Sequence, residues 1–415
     1  MATIRPFFCI RPTKELASRV AALPYDVYNR QEAKEAAKLD ELSFLNIDRA
    51  ETQFDDSVST YDDRVYQKAK ELLDKRMKDG VYIKEETPSY YIYELIMDGR
   101  SQTGIVACAS IDDYVNGVIK KHENTREEKE LDRIRHVDTC NAQTGPIFLA
   151  YRSIEAINYV VNTKKVEEPL YHFISDDGIE HNVWVIDRKD QIAVIKESFS
   201  NTDQIYIADG HHRAASAVKV GIKRRAENPG YTNEEEFNYF LSVLFPDDQL
   251  LIMPYNRVVK DLNGYSKESF LEKIREKFDI EKVGSTPYEP EKKGCFGLYL
   301  DYTWYKLVAK DEILSNDPVL GLDVSILQNE LLAPVLGIED PKTDTRIDFV
   351  GGIRGLKELE KRATTDMQLA FSMYPTSIKE LFDVADASKL MPPKSTWFEP
   401  KLRSGIFIHS LEDEK

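Results

Sequence analysis

The segment that most constrains the fold is residues 204–218, where a β-branched and aromatic run meets a single glycine and then an alanine-rich stretch. The run before Asp209 predicts a strand, and the residues after Gly210 predict a helix that Gly221 would stop. A strand, a tight turn and a helix start therefore follow one another directly. This order is typical of a mixed α/β fold.

The turn itself carries polar side chains suited to an anion. A helix start leaves backbone N–H groups unpaired and carries partial positive charge, so it stabilises a phosphate. Arg213 adds a forked donor, and His211 and His212 add further donors. Asp209 ends the strand, where it can hold a metal ion or accept a hydroxyl proton. The alternative is that Asp209 caps the helix and the histidines only complete the turn.

Length and composition indicate two domains of an ordinary globular protein. At 415 residues the chain exceeds one usual core, while 42% hydrophobic and 31% charged residues argue against disorder. The turn at Asn263-Gly264 precedes a new series of helix and hairpin patterns. We therefore expect a domain of residues 1–265 that binds the phosphate and a smaller α/β domain of residues 266–415.

Net charge, cysteine spacing and hydropathy argue against several classes of protein. A net charge of −16 argues against nonspecific nucleic-acid binding, which needs clustered Lys and Arg. The four cysteines, at 9, 108, 140 and 295, have neither zinc-ligand spacing nor a disulfide pattern. No signal-peptide core is present, and no run approaches the ~20 apolar residues of a membrane span. We expect a cytoplasmic protein that binds neither nucleic acid nor membranes.

A second polar cluster lies at residues 121–133. Thr125 with Glu128 predicts a capping box, so a helix should begin there with His122, Glu123 and Arg126 near its N-terminus. Such a charged run is also typical of a solvated helix face. Further along, the proline-rich tail of residues 391–408 either folds back over the site or seals the second domain.

Several blocks together resemble the DUF1015 family, which is described only as a domain of unknown function. The matching blocks are Arg11-Pro12-Thr13, Pro24-Tyr25-Asp26-Val27, Lys121-His122-Glu123 with Thr125, residues 208–216 and Met391-Pro392-Pro393-Lys394-Ser395-Thr396. They extend over essentially the whole chain. The family name implies no reaction.

The turn also resembles that of the ParB-like superfamily, which includes partition nucleotidases, sulfiredoxin and free-serine kinases. The kinases have an Asp-Gly-His-Thr-Arg turn, which Asp209, Gly210, His211 and Arg213 match and from which His212 departs. Sulfiredoxin activity is not expected, because His211 stands where that enzyme needs cysteine. The residues 123–126 are similar to a nucleotide-contacting Glu-Asn box of the partition proteins, although that box follows the turn there. The resemblance implies a ParB/sulfiredoxin-like first domain.

The resemblance to the kinases implies roles for the remaining residues. In the kinases, an acidic residue that follows a proline acts as the base, and Glu15 matches it, with Asp26 as the second candidate. Tyr25 and Asp26 would contact the substrate. Mg²⁺ would be held by Asp209, ATP or ADP would donate the phosphate, and L-serine is the leading acceptor. A homodimer is possible. The alternatives are a nucleotide-binding switch without catalysis and a phosphatase acting on a phosphorylated metabolite.

Overall fold

A computed structural model describes residues 1–413. They form two compact units, one comprising Met1–Leu250 together with the tail from Pro400, and the other Leu251–Glu399. The break in packing thus follows Leu250 rather than residue 265, and the end of the tail belongs to the first unit. The functional roles expected for the domains 1–265 and 266–415 stay predictions.

The first unit contains helices and strands in alternating groups. Its helices are α1 (Ala17–Val20), α2 (Arg30–Leu39), α3 (Leu45–Asp48), α4 (Asp63–Lys78), α5 (Ile111–Val115), α6 (Glu127–Cys140), α7 (Glu155–Lys164), α8 (Lys189–Ser200) and α9 (His211–Glu227). Its strands before the second unit are β1 (Ile4–Arg5), β2 (Cys9–Pro12), β3 (Tyr82–Lys84), β4 (Tyr90–Met97), β5 (Arg100–Ser110), β6 (Ile119–Lys120), β7 (Ala142–Gln143), β8 (Ile147–Tyr151), β9 (Tyr171–Ile174), β10 (Glu180–Ile186), β11 (Ile205–Asp209) and β12 (Tyr239–Pro246).

The second unit has fewer helices and is dominated by strands. Its helices are α10 (Lys267–Arg275), α11 (Asp323–Leu327), α12 (Gly355–Thr365) and α13 (Ile378–Asp386). Its strands are β13 (Ile252–Met253), β14 (Tyr255–Val259), β15 (Phe278–Gly284), β16 (Cys295–Leu300), β17 (Thr303–Ala309), β18 (Ile347–Gly351), β19 (Leu369–Met373) and β20 (Trp397–Phe398). The tail then adds β21 (Ile408–Ser410) to the first unit.

A nine-stranded mixed sheet organises the first unit. The strand order is β6-β11-β8-β12-β5-β4-β10-β9, with β1 beside β5. β11 is parallel to β6 and antiparallel to β8, and β12 is parallel to β8 and antiparallel to β5. Apolar side chains of these strands form one core with residues from α7, α8 and α9. The predicted mixed α/β class is therefore confirmed.

The tail is built into a second, four-stranded sheet of the first unit, in the order β3-β2-β21-β7. His409 on β21 pairs with Cys9 on one side and with Gln143 on the other. Its ring is buried and its Nε2 atom lies 2.6 Å from a Glu236 carboxylate oxygen. Backbone pairing on both sides fixes the position of the tail in this unit.

The second unit contains a six-stranded antiparallel sheet in the order β15-β17-β16-β19-β14-β18. Helix α12 packs on it through Leu359 and Ala363, which join a core around Trp304. The short strands β13 and β20 form a separate pair. The C-terminal part of the chain is therefore α/β, as the sequence predicts.

Two hairpins of the first unit have the turn residues typical of such connections, whereas two predicted helix boundaries were wrong. β4 and β5 pair across Asp98-Gly99, and β9 and β10 pair across the turn before Gly178. Gly221 does not stop α9, which continues to Glu227, because the glycine is used for close packing inside the helix. Helix α6 begins at Glu127 with Arg126 as N-cap and has no capping box. Within residues 1–413, no helix is both long and apolar enough to cross a membrane.

Candidate functional site

The site begins at the turn between β11 and α9. Gly210 has a φ of 92°, in the left-handed region that favours glycine, and it is the N-cap of α9. The Asp209 Oδ1 atom accepts a hydrogen bond from the Gly210 N–H at 2.8 Å. Because Gly210 has no side chain to cap the helix, the first N–H groups of α9 are left to an external acceptor.

Three segments meet at this edge of the sheet. β6 runs parallel to β11, so the residues after both strands emerge together. β8 runs antiparallel to β11, so the loop before β8 reaches the same place. The Nη1 atom of Arg213 donates to the Pro146 carbonyl in that loop at 2.5 Å. The topology thereby gathers residues 122–126, 144–146 and 209–213 around the turn.

His122 and His211 form a buried pair beside the turn. Their rings meet edge to face with centroids 4.5 Å apart, and His211 Nε2 accepts the His122 backbone N–H at 3.5 Å. Burial lowers the pKa of His122 to about 4, despite the opposing effect of Asp209. Burial, with His122 next to it, also holds the pKa of His211 well below its usual range. Both rings are therefore neutral near pH 7.

One nitrogen of this pair has no protein partner. The Nδ1 atom of His122 is buried and makes no hydrogen bond within the described part of the chain. The Ile207 backbone lies near the ring and raises the His122 pKa, against the effect of burial. A buried polar atom without a partner is costly unless a water or ligand satisfies it.

His212 connects the turn to the start of α6. Its Nε2 atom accepts the Arg126 backbone N–H at 3.0 Å, and burial lowers its pKa against the effect of the Asp26 carboxylate. Glu130 interacts with Thr125 and Lys219 and also fixes this region, which explains why Thr125 does not form the predicted capping box. Glu123 is half-buried in the same loop, and the Arg126 side chain is exposed.

The Asp209 carboxylate is paired with a lysine from the tail. Lys401 Nζ lies 2.8 Å from Asp209 Oδ2, and the side chains are 16% and 32% exposed. Burial alone would raise the pKa of Asp209, but Lys401 and Arg213 outweigh it and hold that pKa below its usual range. Both carboxylate oxygens are thus already engaged, so the metal role of Asp209 stays a prediction. Residues 1–413 contain no group of three His, Cys, Asp or Glu side chains arranged to hold a metal ion.

The loop at residues 24–28 brings two predicted substrate residues to the site. Tyr25 is buried, and Arg133 lies over its ring at 4.0 Å. Asp26 is exposed and close enough to His212 to raise the pKa of that ring. Arg49 holds the loop by donating to the Tyr25 and Tyr28 carbonyls at 2.8 and 2.7 Å.

Glu15, the first candidate for the base, has surroundings different from those of Asp26. It lies in the exposed turn before α1, and no hydrogen bond or ion pair joins it to the turn at Gly210 within the described residues. Its neighbour Lys14 pairs with Glu168 on the surface. The structure therefore brings Asp26, and not Glu15, close to the histidines. The role of Glu15 as a base stays a prediction.

A small cavity that the sequence did not reveal adjoins Arg213. Its polar lining includes Tyr25, Asp48, Arg133, His136, Gln143, Thr144, Arg213 and Ser404. Asp48 accepts a hydrogen bond from Thr144 at 3.0 Å and makes no ion pair with a described residue. Arg133 binds Asp132 through Nε at 2.9 Å, and burial lowers the pKa of His136 to about 4. These residues come from segments far apart in sequence, so no local pattern could group them.

Comparisons with known proteins relate the chain to one family and to several solved structures. A family model described as "Protein of unknown function (DUF1015)" matches residues 4–325. None of the curated proteins compared with the chain matches it. The following solved structures are similar in part: a free serine kinase variant in complex with ADP (13% identity, TM-score 0.36, 73% of this chain and 92% of that chain), SbnI with a C-terminal truncation from Staphylococcus aureus (11%, 0.40, 75% and 90%), and a conserved hypothetical protein from Pyrococcus furiosus (16%, 0.35, 75% and 96%).

Proposed function

The chain belongs to the DUF1015 family, as its motifs predict, and we propose that it transfers a phosphoryl group from a nucleotide to the hydroxyl of a small metabolite. The observation that carries the proposal is the turn at Gly210, where an uncapped helix start, Arg213 and the buried histidine pair lie together and where Asp26 acts on the adjacent His212. Phosphoryl transfer depends mainly on positioning and charge neutralisation, which such a set of groups supplies.

The donor's phosphates would bind at the start of α9. The helix N–H groups and the Arg213 guanidinium supply donors, and Gly210 lets the backbone approach closely. His211 and His212 are neutral and accept backbone N–H groups through Nε2, so they would position the loop of residues 122–126 rather than add charge. Glu123 and Arg126 in that loop would contact the nucleotide. ATP and ADP are both candidate donors.

Charged side chains beside the small cavity next to Arg213 favour an amino acid as acceptor. Asp48 and Arg133 are buried and place opposite charges on its walls, while Thr144 adds a hydroxyl. An α-amino acid carries an ammonium and a carboxylate that match these charges. L-serine also carries a hydroxyl that can accept phosphate, so it is the first acceptor to test.

Asp26 is the better candidate for the base that accepts the hydroxyl proton. A general base must lie within hydrogen-bond reach of the reacting group; Asp26 directly follows Tyr25, which lines the cavity, and its carboxylate acts on the His212 ring. Mg²⁺ is expected to arrive with the nucleotide and to be held mainly by phosphate oxygens, since Asp209 is engaged by Lys401.

Phosphorus NMR of the purified protein with Mg²⁺ and L-serine tests the proposal, with ATP in one sample and ADP in another. The proposal predicts a new phosphomonoester signal that requires both serine and nucleotide and is lost in Arg213→Ala, which removes the guanidinium proposed to bind the phosphates. If nucleotide binds but no acceptor among small hydroxyl compounds is phosphorylated, a nucleotide-binding switch replaces the kinase. Release of phosphate from phosphoserine without nucleotide would instead favour a phosphatase.

A further inference from the structure

A residue outside the range of the family model reaches the turn. The match ends at residue 325, whereas Lys401 lies in the tail and contacts Asp209 beside Gly210. The ammonium group therefore lies beside the Asp209 carboxylate, which would otherwise repel an anion bound at the start of α9. The predicted site therefore contains a cation that neither the turn motif nor the family match includes.

The tail holds Lys401 firmly in this position. Two residues further on, Arg403 is 3% exposed at its side chain and pairs with Asp177 at 2.5 Å. Ser404 and Ala22 exchange backbone hydrogen bonds, at 2.8 and 3.2 Å, and the Gly405 N–H donates to the Thr144 carbonyl at 3.3 Å. Because the backbone on its C-terminal side is fixed, the lysine loses little additional freedom when it binds an anion.

We propose that Lys401 is a phosphate-binding residue of this site, and that its ammonium lets the turn bind a polyphosphate without a divalent metal. The proposal rests on the proposed function in taking phosphate as the ligand. Asp209 would hold Lys401 in place, and the incoming phosphate would share the ammonium with it. Two further features point to a ligand here: the buried His122 Nδ1 atom, which makes no hydrogen bond with a described residue, and the Arg213 guanidinium, whose Nη1 atom donates to the neutral Pro146 carbonyl.

The charges explain why a lysine is needed. A polyphosphate bound at Gly210 would be repelled by the ionised Asp209. The same carboxylate would also partly offset the positive charge of Arg213. The Lys401 ammonium removes this repulsion and adds a charge-assisted hydrogen bond. Without a lysine, the same neutralisation would require a metal ion.

Calorimetric titration with inorganic pyrophosphate in the presence of EDTA tests the proposal. The wild type should bind, Lys401→Met should bind about 10- to 100-fold more weakly, and Lys401→Arg should retain most of the affinity. Asp209→Asn should bind more tightly than the wild type, because it removes the repulsion between the carboxylate and the phosphates. The matched control is Lys223→Met, which removes another lysine that is paired with an aspartate, at the far end of α9.

A double variant guards against loss of folding. Lys401→Met leaves Asp209 without its partner, whereas Asp209→Asn with Lys401→Met removes both charges and should fold. The proposal predicts that Lys401→Met weakens pyrophosphate binding also in the Asp209→Asn background.

Three results would overturn the proposal. Equal affinity of wild type and Lys401→Met would leave the proposed function intact but exclude Lys401. Binding of pyrophosphate only when Mg²⁺ is added would assign the neutralising charge to the metal. Failure of the wild type to bind pyrophosphate or nucleotide, with or without Mg²⁺, would remove the proposed function as well.

Discussion

Among single residues, Asp26 and Glu15 are the two candidates for the base, and their surroundings differ. Both side chains are exposed, but Asp26 acts on the His212 ring, whereas no contact within the described residues joins Glu15 to the turn at Gly210. We therefore expect Asp26→Asn to lower turnover by about 10²- to 10⁴-fold with little change in nucleotide affinity, because a general base acts only on the chemical step. Turnover by phosphorus NMR and nucleotide affinity by calorimetry measure the two effects separately.

Glu15→Gln is the matched control, since it makes the same change of charge on a residue that the structure does not join to the turn. Its turnover should stay within about twofold of the wild type, as for a surface substitution away from the site. Loss of turnover in Glu15→Gln, with Asp26→Asn unaffected, would return the role to Glu15 and contradict this assignment.

The residues of the site form two groups: those whose proximity the sequence predicts and those whose proximity it does not. Asp209, Gly210 and Arg213 lie within one turn, so their strand-to-helix pattern and residue types predict their proximity. His122 is also brought there, because β6 and β11 are parallel neighbours. Lys401 arrives through pairing of the tail with β2 and β7, and no local pattern encodes that pairing.

At the scale of the elements, Gly221 shows how packing overrides helix propensity. An alanine in the middle of a helix is ordinarily more stable than glycine by about 1 kcal/mol. A Cβ atom at Gly221 would lie 2.4 Å from the Phe237 carbonyl oxygen and 2.7 Å from Ile111 Cδ1. We expect Gly221→Ala to lower the free energy of unfolding by about 1–3 kcal/mol, as overpacking does. Urea denaturation of the variant and wild type measures it.

Ala226→Gly on the exposed side of the same helix provides the reference. It should cost only the propensity difference of about 1 kcal/mol, because it changes no packing contact. A stabilised Gly221→Ala protein would mean that α9 can move away from Phe237, and the close approach would then not constrain the helix.

Hairpins of consecutive strands were predictable, whereas the pairing of strands far apart in the sequence was not. The hairpins β4–β5 and β9–β10 follow from their turn residues and alternating strands. The insertion of β8 between β11 and β12 depends on which edges and faces can be buried together. Asp48 and Arg133 reach one cavity from α3 and α6, through contacts between helices far apart in sequence that no local pattern encodes.

For the first unit as a whole, buried neutral histidines make stability depend on pH. Burial lowers the pKa of His122 and of His136 to about 4 and that of His181 to about 3. In the unfolded chain these groups titrate near the ordinary value of about 6.5. Below that pH the unfolded chain binds protons that the folded unit does not, so stability falls as the pH decreases from about 6.5 towards 4.

His136 offers the cleanest measurement, because glutamine can keep a donor for the Ile47 carbonyl that the ring nitrogen faces. Between pH 7 and pH 5 this histidine should account for about 2 kcal/mol of lost unfolding free energy, and His136→Gln should remove that part of the loss.

Trp184 reports on the first unit when Trp304 and Trp397 of the second unit are replaced by phenylalanine. Urea unfolding followed by its fluorescence at both pH values gives the difference. The exposed His172, replaced by glutamine, is the control for the substitution itself. An unaltered pH dependence in His136→Gln would show that the ring is already protonated or solvated in the folded unit, contrary to its buried, neutral state.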